Sequence, residues 1–235
     1  MLELSRRLRC VGDFVTQKTV ADIGTDHAYI PIYLHKKGKA EKIIACDINQ
    51  KPLQKAQQNI KAHHAENVIV TRLGNGLQTL QPNEVDTVII SGMGGMLIIE
   101  LLKQSKEIVD TVKEFVLCPH LDVPAVRKYL HYIGYSIVDE KMILEDDIFY
   151  TILRAIKGEQ KYSKEIEYLF GKILLDSKDT VLKQFILNEK NRLQNIQLQL
   201  CDKKTQQSQK RLQEILQYQK LVEEAEQWLY CAKKL

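Results

Sequence analysis

The chain has 235 residues, of which 44% are hydrophobic, and a formal net charge of +4. That apolar share supports a packed core and excludes wholesale disorder. No run of eighteen apolar residues occurs, which excludes an ordinary membrane-spanning helix, and so mild a positive charge permits an anionic partner such as RNA without demanding one.

Residues 2–15 carry Leu4, Leu8, Val11 and Val15 on one face at helical spacing, predicting an amphipathic helix. The segment lacks the uninterrupted apolar stretch and small-residue cleavage site of a signal peptide, so a cytoplasmic location is expected. From residue 19 to about 157, β-branched runs alternate with helical patterns. Strands are predicted at 19–23, 42–47, 68–73, 86–91, 115–118, 136–144 and 149–156. Helices are predicted between the first five of them, at 28–37, 51–62, 95–105 and 123–133. The runs Val88-Ile89-Ile90 and Ile43-Ile44-Ala45 are apolar on both faces, as central parallel strands are. Alternation of this kind specifies an α/β domain, doubly wound around a mainly parallel sheet of the Rossmann type. The last two strands are joined by Glu145-Asp146-Asp147 and Ile148 alone. That is hairpin spacing, and it predicts an antiparallel strand at one edge.

After Gly158 the pattern changes. A helix is predicted at 164–175, followed by two heptad runs: Leu182, Phe185, Glu189, Leu193, Ile196 and Leu200, then Leu212, Ile215, Gln219, Val222, Glu226 and Leu229. A polar segment at 201–208 separates them, and an antiparallel helical hairpin or short coiled coil is the economical solution. One continuous long helix, or a coiled-coil dimer between chains, is the alternative to the hairpin, and a monomer is expected. Two domains are expected, 1–158 and 159–235. The five cysteines (Cys10, Cys46, Cys118, Cys201 and Cys231) are scattered without metal-binding or redox spacing, and no metal site is expected.

Open α/β sheets bind ligands beyond the carboxyl ends of their strands. The first strand runs into Asp22-Ile23-Gly24-Thr25-Asp26-His27-Ala28, a glycine-containing turn feeding a helix N-terminus. Asp26 stands where a dinucleotide fingerprint carries its second glycine, and neither Ala28 nor Tyr29 supplies a third. An acidic loop suits a cofactor whose amino-acid end is an ammonium, which favours S-adenosylmethionine over NAD. The second strand ends at Asp47-Ile48-Asn49, an acidic position suited to ribose hydroxyls; Asp47 or Asn49 as a simple helix N-cap is the alternative. The third ends at Asn75-Gly76, where Asn75 can read an adenine edge or the pair can serve only as a turn. The fourth ends at Ser91-Gly92-Met93-Gly94-Gly95, a ligand-approach loop or a plain flexible connection.

The block 22–31 (Asp-Ile-Gly-Thr-Asp-His-Ala-Tyr-Ile-Pro) resembles the signature of the TrmK family of bacterial tRNA (adenine-N1)-methyltransferases. Blocks 45–49, 72–76, 91–95, 127–130 and 150–152 support it in order. The resemblance implies methyl transfer from S-adenosyl-L-methionine to N1 of an adenine in the D-arm of tRNA, position 22 in that family. It also implies cofactor contacts by Asp22, Gly24, Thr25, Asp47, Ile48, Asn75 and Gly76. The target base is expected near Asp26, His27, Tyr29, Ser91, Gly92 and Met93. Tyr29 can stack on the base or pack in the core, and His27 can accept a proton or merely border the helix start. Phosphate contacts are expected from Arg6, Arg7, Arg9, Lys203 and Lys204, with Lys190, Arg192, Lys210 and Arg211 nearby in sequence; a solvated helix face is the alternative. One departure stands out: where the family pattern predicts an amide after the proline of the fifth-strand block, this chain has His120 after Pro119. A methyltransferase for another RNA or a small molecule would use the same cofactor residues, and a cofactor-binding scaffold with a protein-recruiting coiled coil is the non-enzymatic rival.

Overall fold

The computed structural model describes residues 4–201 and 205–231, and its chain divides into two compact units, Met1–Gln160 and Lys161–Leu235. In the first unit, helix α1 (Arg6–Phe14) precedes β1 (Thr19–Ile23), α2 (Tyr29–Lys36), β2 (Lys42–Asp47), α3 (Gln50–Ala62) and β3 (Ile69–Leu73). A 3-10 turn at Gly76–Thr79 leads to β4 (Thr87–Ser91), α4 (Gly95–Gln104), α5 (Lys106–Val109), β5 (Glu114–Cys118) and α6 (Val123–Tyr132). The hairpin β6 (Tyr135–Glu145) and β7 (Ile148–Lys157) ends the unit. The seven strands lie in the order β3-β2-β1-β4-β5-β7-β6. The first five are parallel, and β7 runs antiparallel to both neighbours.

The strand order reverses between β1 and β4, and such a switch point leaves a crevice at the carboxyl ends. One face of the sheet presents Val20, Ile43, Ala45, Ile89, Val116 and Ile152 to the apolar stripes of α1, α2 and α3. Alternate residues such as Ile44, Val88 and Leu117 face the other way, toward the side covered by α4 and α6, which pack on each other. The predicted strands and helices of this unit all form, within one residue of the expected bounds except for the first helix, expected at 2–15 and formed at Arg6–Phe14. The hairpin occupies one end of the sheet, and the antiparallel β7 lies one position in from the edge, with β6 outermost. The burial pattern gives the reason: Thr151, Ile152 and Leu153 are consecutively buried, whereas β6 alternates, so β7 is the strand suited to cover on both faces. The four-residue pieces α5 and Gly76–Thr79 are too short to show a helical period.

In the second unit, the helix predicted at 164–175 is two, α7 (Glu165–Phe170) and α8 (Lys172–Asp176). Gly171 breaks it by adopting φ 91°, which side-chain-bearing residues avoid. Helices α9 (Thr180–Cys201) and α10 (Gln206–Tyr230) pack together through buried Leu182, Ile186 and Leu193 on one and Ile215, Val222, Ala225 and Leu229 on the other. The two acidic residues in the heptad rhythm are used in the seam: Glu226 accepts from Lys190 at 2.6 Å and Glu189 from the Tyr218 hydroxyl at 3.3 Å.

In the first unit, α6 is tied to β6 by a buried ion pair. Arg127 Nε donates to Glu140 Oε1 at 2.6 Å, with both side chains at 1% exposure or less. Removing one partner leaves a charge uncompensated in the interior, whereas replacing both avoids that penalty. Arg127→Leu is therefore expected to lower unfolding stability by about 3–5 kcal/mol, and the double variant Arg127→Leu/Glu140→Leu to regain most of it, as read by equilibrium urea unfolding.

Candidate active site

The β1–α2 turn is built on one acceptor. The amides of Gly24 and Thr25 both donate to the Cys46 carbonyl at 2.9 Å, binding the end of β1 to the end of β2. Gly24 takes φ 75°, and a Cβ there would come within 2.3 Å of Met93 Cε. Asp26 (φ 48°) and Ala28 (φ 59°) also adopt left-handed backbone. The turn thus has the backbone of a glycine-rich loop at Asp26, where the second glycine of the fingerprint is replaced, and again two residues later at Ala28. Asp22 is buried beneath it and accepts from the Thr25 hydroxyl at 2.7 Å. Burial pushes the Asp22 carboxyl up to about 7; the Thr25 hydrogen bond acts against this and the neighbouring Asp47 adds to it.

Asp47 is 8% exposed and reaches two amides, Asn49 at 2.8 Å and Asp26 at 3.4 Å. It braces the two loops against each other, and neither Asp47 nor Asn49 caps α3 through its side chain. Asn75 likewise makes no side-chain cap. Gly76, with φ 53°, is a required glycine twice over, because a Cβ would also lie 2.6 Å from Leu101 Cδ2.

Two cavities open on this edge and share Gly24. The larger, about 370 Å3, is polar and bounded by Asp22, Thr25, Asp26 and Tyr29 from the β1 turn and by Ser91 and Gly92 after β4. The smaller, about 250 Å3 and mostly apolar, is lined by Asp47, Ile48, Asn75 and Gly76, with Met93, Leu97 and Leu101 as its α4-side wall. Twelve of the thirteen residues expected at the cofactor and the target base therefore border one cavity or the other. His27 does not: its ring lies 5.3 Å from that of Tyr29 and 3.5 Å from Asp26 Oδ1, and its Nδ1 is buried without a hydrogen-bond partner.

Three further residues belong to the polar cavity or its wall. Arg7, expected as a phosphate contact, turns inward: Nη1 donates to Ser91 Oγ at 2.9 Å, and the guanidinium lies 5.1 Å from the centre of the Tyr150 ring. His120 meets the other side of that wall, its ring 5.6 Å from Tyr150 and edge-on to it. Arg7 sits between the buried Leu4 and Val11 at helical spacing, on the face that α1 turns to the core. Glu145 at the end of β6 fixes the helix start by accepting from the amides of Arg6 and Arg7. His120 is carried by a loop hydrogen-bonded to the β4 loop, with His120 N donating to Met93 O at 2.9 Å and Gly95 N to Leu121 O at 3.0 Å.

Arg6 and Arg9 are exposed; Lys203 and Lys204 lie outside the described residues. Arg192 and Arg211 pair with Glu189 and Glu214 on their own helices, and with Lys190 on Glu226 this favours a solvated, internally paired face for those three cations. Among the described residues no group of three or more His, Cys, Asp or Glu side chains is arranged for a metal ion, and no helix is long and apolar enough to cross a membrane.

Residues 4–153 match a family model described as a methyltransferase domain. Over 95% of its length the chain is 30% identical to the tRNA (adenine(22)-N(1))-methyltransferase of Bacillus subtilis, covering 97% of that protein. A Streptococcus pneumoniae structure solved in complex with S-adenosyl-L-methionine is similar at a TM-score of 0.85 and 30% identity, with 95% of this chain and 99% of that one covered. So is M. capricolum TrmK in complex with S-adenosyl-homocysteine, at a TM-score of 0.78 and 32% identity, covering 93% and 99%.

Because the folded carboxyl of Asp22 titrates near 7 and its ordinary value is 3.8, the folded protein holds a proton that the unfolded chain has released between those values. Its stability contribution is present below the unfolded value and lost as pH rises through about 7. Asp22→Asn, which cannot ionise, is accordingly expected to raise Tm at pH 8, by roughly 2–4 °C for each kcal/mol relieved, and to change it little near pH 4. An equal shift at both pH values in a thermal melt would contradict this account.

Proposed function

Because the chain belongs to the TrmK family of tRNA (adenine-N1)-methyltransferases, we propose that it transfers a methyl group from S-adenosyl-L-methionine to N1 of adenine 22 in the D-arm of tRNA. The observation that carries the reading is the pair of cavities meeting at Gly24 on the switch-point edge, one apolar with a carboxylate and one polar. The residues fit the cofactor. Asp47 suits the ribose hydroxyls, Ile48, Leu97 and Leu101 the flat faces of an adenine, and Asn75 its edge. Asp22 and Asp26 offer carboxylates to the ammonium, and Gly24 allows backbone approach. When bound, the cofactor supplies an electrophilic methyl on a sulfonium sulfur.

Adenine N1 has a lone pair at neutral pH, so no prior deprotonation is required. The work of the chain's own residues is to align, which can lower the barrier by roughly 7–11 kcal/mol through proximity and orientation. Ser91, Gly92 and Met93 border the junction where acceptor and donor meet, with Tyr29 as the candidate stacking ring. A paired target base must first be exposed, at a cost of a few kcal/mol. We assign the cofactor and the chemistry to residues 1–158. Residues 159–235 form the helical coiled-coil part, whose Lys203 and Lys204, with Arg6 and Arg9 of the first part, offer cations to RNA phosphates. The intramolecular seam of α9 and α10 supports a monomer, and the tRNA substrate of this reading a cytoplasmic location.

Incubating the full chain with labelled S-adenosyl-L-methionine and unmodified tRNA, followed by nucleoside digestion, is expected to yield N1-methyladenosine at the D-arm. Absence of transfer despite calorimetrically demonstrated cofactor binding would break the tRNA reading. Asp47→Ala is expected to weaken cofactor affinity about tenfold or more, for the loss of charge-assisted hydrogen bonds of about 1.5–3 kcal/mol; unchanged affinity by calorimetry would remove Asp47 from the site.

A further inference from the structure

His120 is the one ring in the polar cavity with nothing assigned to it. It sits on the Ser91 side, its Nε2 3.7 Å from where a Cβ on Gly92 would stand. The ring is held from two directions. Its backbone amide is fixed by the Met93 carbonyl, and its edge meets the Tyr150 ring, which the Arg7 guanidinium covers in turn. Its imidazole nitrogens make no hydrogen bond to any described residue. The residue is exposed at the cavity mouth, so its ring, packed on Tyr150, leaves both nitrogens accessible to a base that enters.

We propose that His120 positions and selects the target adenine, its Nε2 accepting a hydrogen bond from the exocyclic amino group at C6 of the base. The proposal rests on the reading that this cavity receives an adenine for methylation at N1. The amino group is adjacent to N1 on the same edge, so holding it orients the nitrogen that attacks. Adenine presents a donor at C6, where guanine presents an acceptor. A lone pair on Nε2 therefore matches the first base and opposes the second. Arg7 is a donor-only group and alone would favour guanine, but its Nη1 is engaged by Ser91. Burial and the nearby Arg7 charge both lower the His120 pKa below the ordinary histidine value, which keeps the ring neutral and its lone pair available at neutral pH.

The test pairs a change in the protein with a change in the base. The full chain, His120→Leu and His120→Gln are compared in single-turnover methyl transfer at saturating cofactor. The two tRNAs carry either adenine or purine, which lacks the amino group, at the target position. The wild-type chain is expected to transfer about 10–100-fold faster to adenine than to purine, the range for one hydrogen bond left unmade in a desolvated site. His120→Leu is expected to lose a similar factor on adenine and little on purine, so its adenine-to-purine ratio falls by about that factor, leaving the intrinsic difference in N1 nucleophilicity between the two bases. His120→Gln, whose amide oxygen can accept, is expected to recover part of the ratio, while cofactor affinity stays at the wild-type value in both variants. A wild-type ratio preserved in His120→Leu overturns the proposal while leaving the methyltransferase reading intact. No transfer by the wild-type chain to either RNA overturns the reading and the proposal together.

Discussion

The site depends on the Cys46 carbonyl. In a parallel pair the ladder bonds are evenly spaced and slanted, so the Cys46 carbonyl, opposite the last residue of β1, is free to accept from the turn that follows β1. Ile23 is in register with Cys46, and the next two amides, those of Gly24 and Thr25, converge on that one oxygen. The turn is thereby pulled across the end of β2 instead of running straight on, and the residue after Cys46 is brought alongside it. This is why the Asp47 carboxylate can reach the amide of Asp26. Asp22 of β1, Asp26 of the turn after it and Asp47 of β2 gather at one end of the crevice because two backbone donors share one backbone acceptor.

The opposite end is assembled by a second set of backbone bonds and has the opposite character. Gly92 N donates to Cys118 O, His120 N to Met93 O and Gly95 N to Leu121 O, so the loops after β4 and β5 are bound to each other across three rungs. Gly95 has no substitute in this arrangement, since a Cβ would stand 2.5 Å from the Leu121 carbonyl oxygen. These loops and α1 together present Ser91, His120 and Arg7. The crevice therefore runs from carboxylates near β1 and β2 to a guanidinium and an imidazole near β4 and β5. A cationic cofactor suits the first end and a nucleotide the second, and the same polarity discourages either from binding in reverse.

The sheet and its flanking helices were legible because their signals are local and periodic. The runs at 43–45 and 88–90 admit only buried strands, and the glycine and acidic residues just after each strand fall where a switch-point crevice needs them. Features that depend on a contact distant in the chain escaped the sequence. Arg7 reads as one of three arginines on a basic helix start. Only Glu145 and Ser91, 138 and 84 positions away, turn its backbone and guanidinium into parts of the site. The single helix expected at 164–175 failed for a local reason that composition underweights: Gly171 takes a left-handed conformation that ends one helix and begins another. The hairpin cations at 190, 192 and 211 were readable as RNA contacts only while their acidic partners, interleaved in the same stretch, were left unpaired.

The strained turn shows why the fingerprint differs from that of a dinucleotide site. Left-handed backbone costs a non-glycine residue roughly 1–2 kcal/mol, and Asp26 and Ala28 both adopt it. Glycine at either position would relieve that strain. It would also remove the Asp26 carboxylate from the cavity mouth and the Ala28 methyl, which is fully buried against the core beneath α2. Asp tolerates the conformation better than most residues because its short polar side chain bonds locally. The remaining strain is offset by the shared Cys46 acceptor, by Asp47 and by the core under Ile30, Ile32 and Leu34. A pyrophosphate would be repelled by such a turn. A ligand with a positively charged end is attracted by it, so the strain stored at Asp26 acts as a selection for charge made before any side chain touches the rest of the ligand.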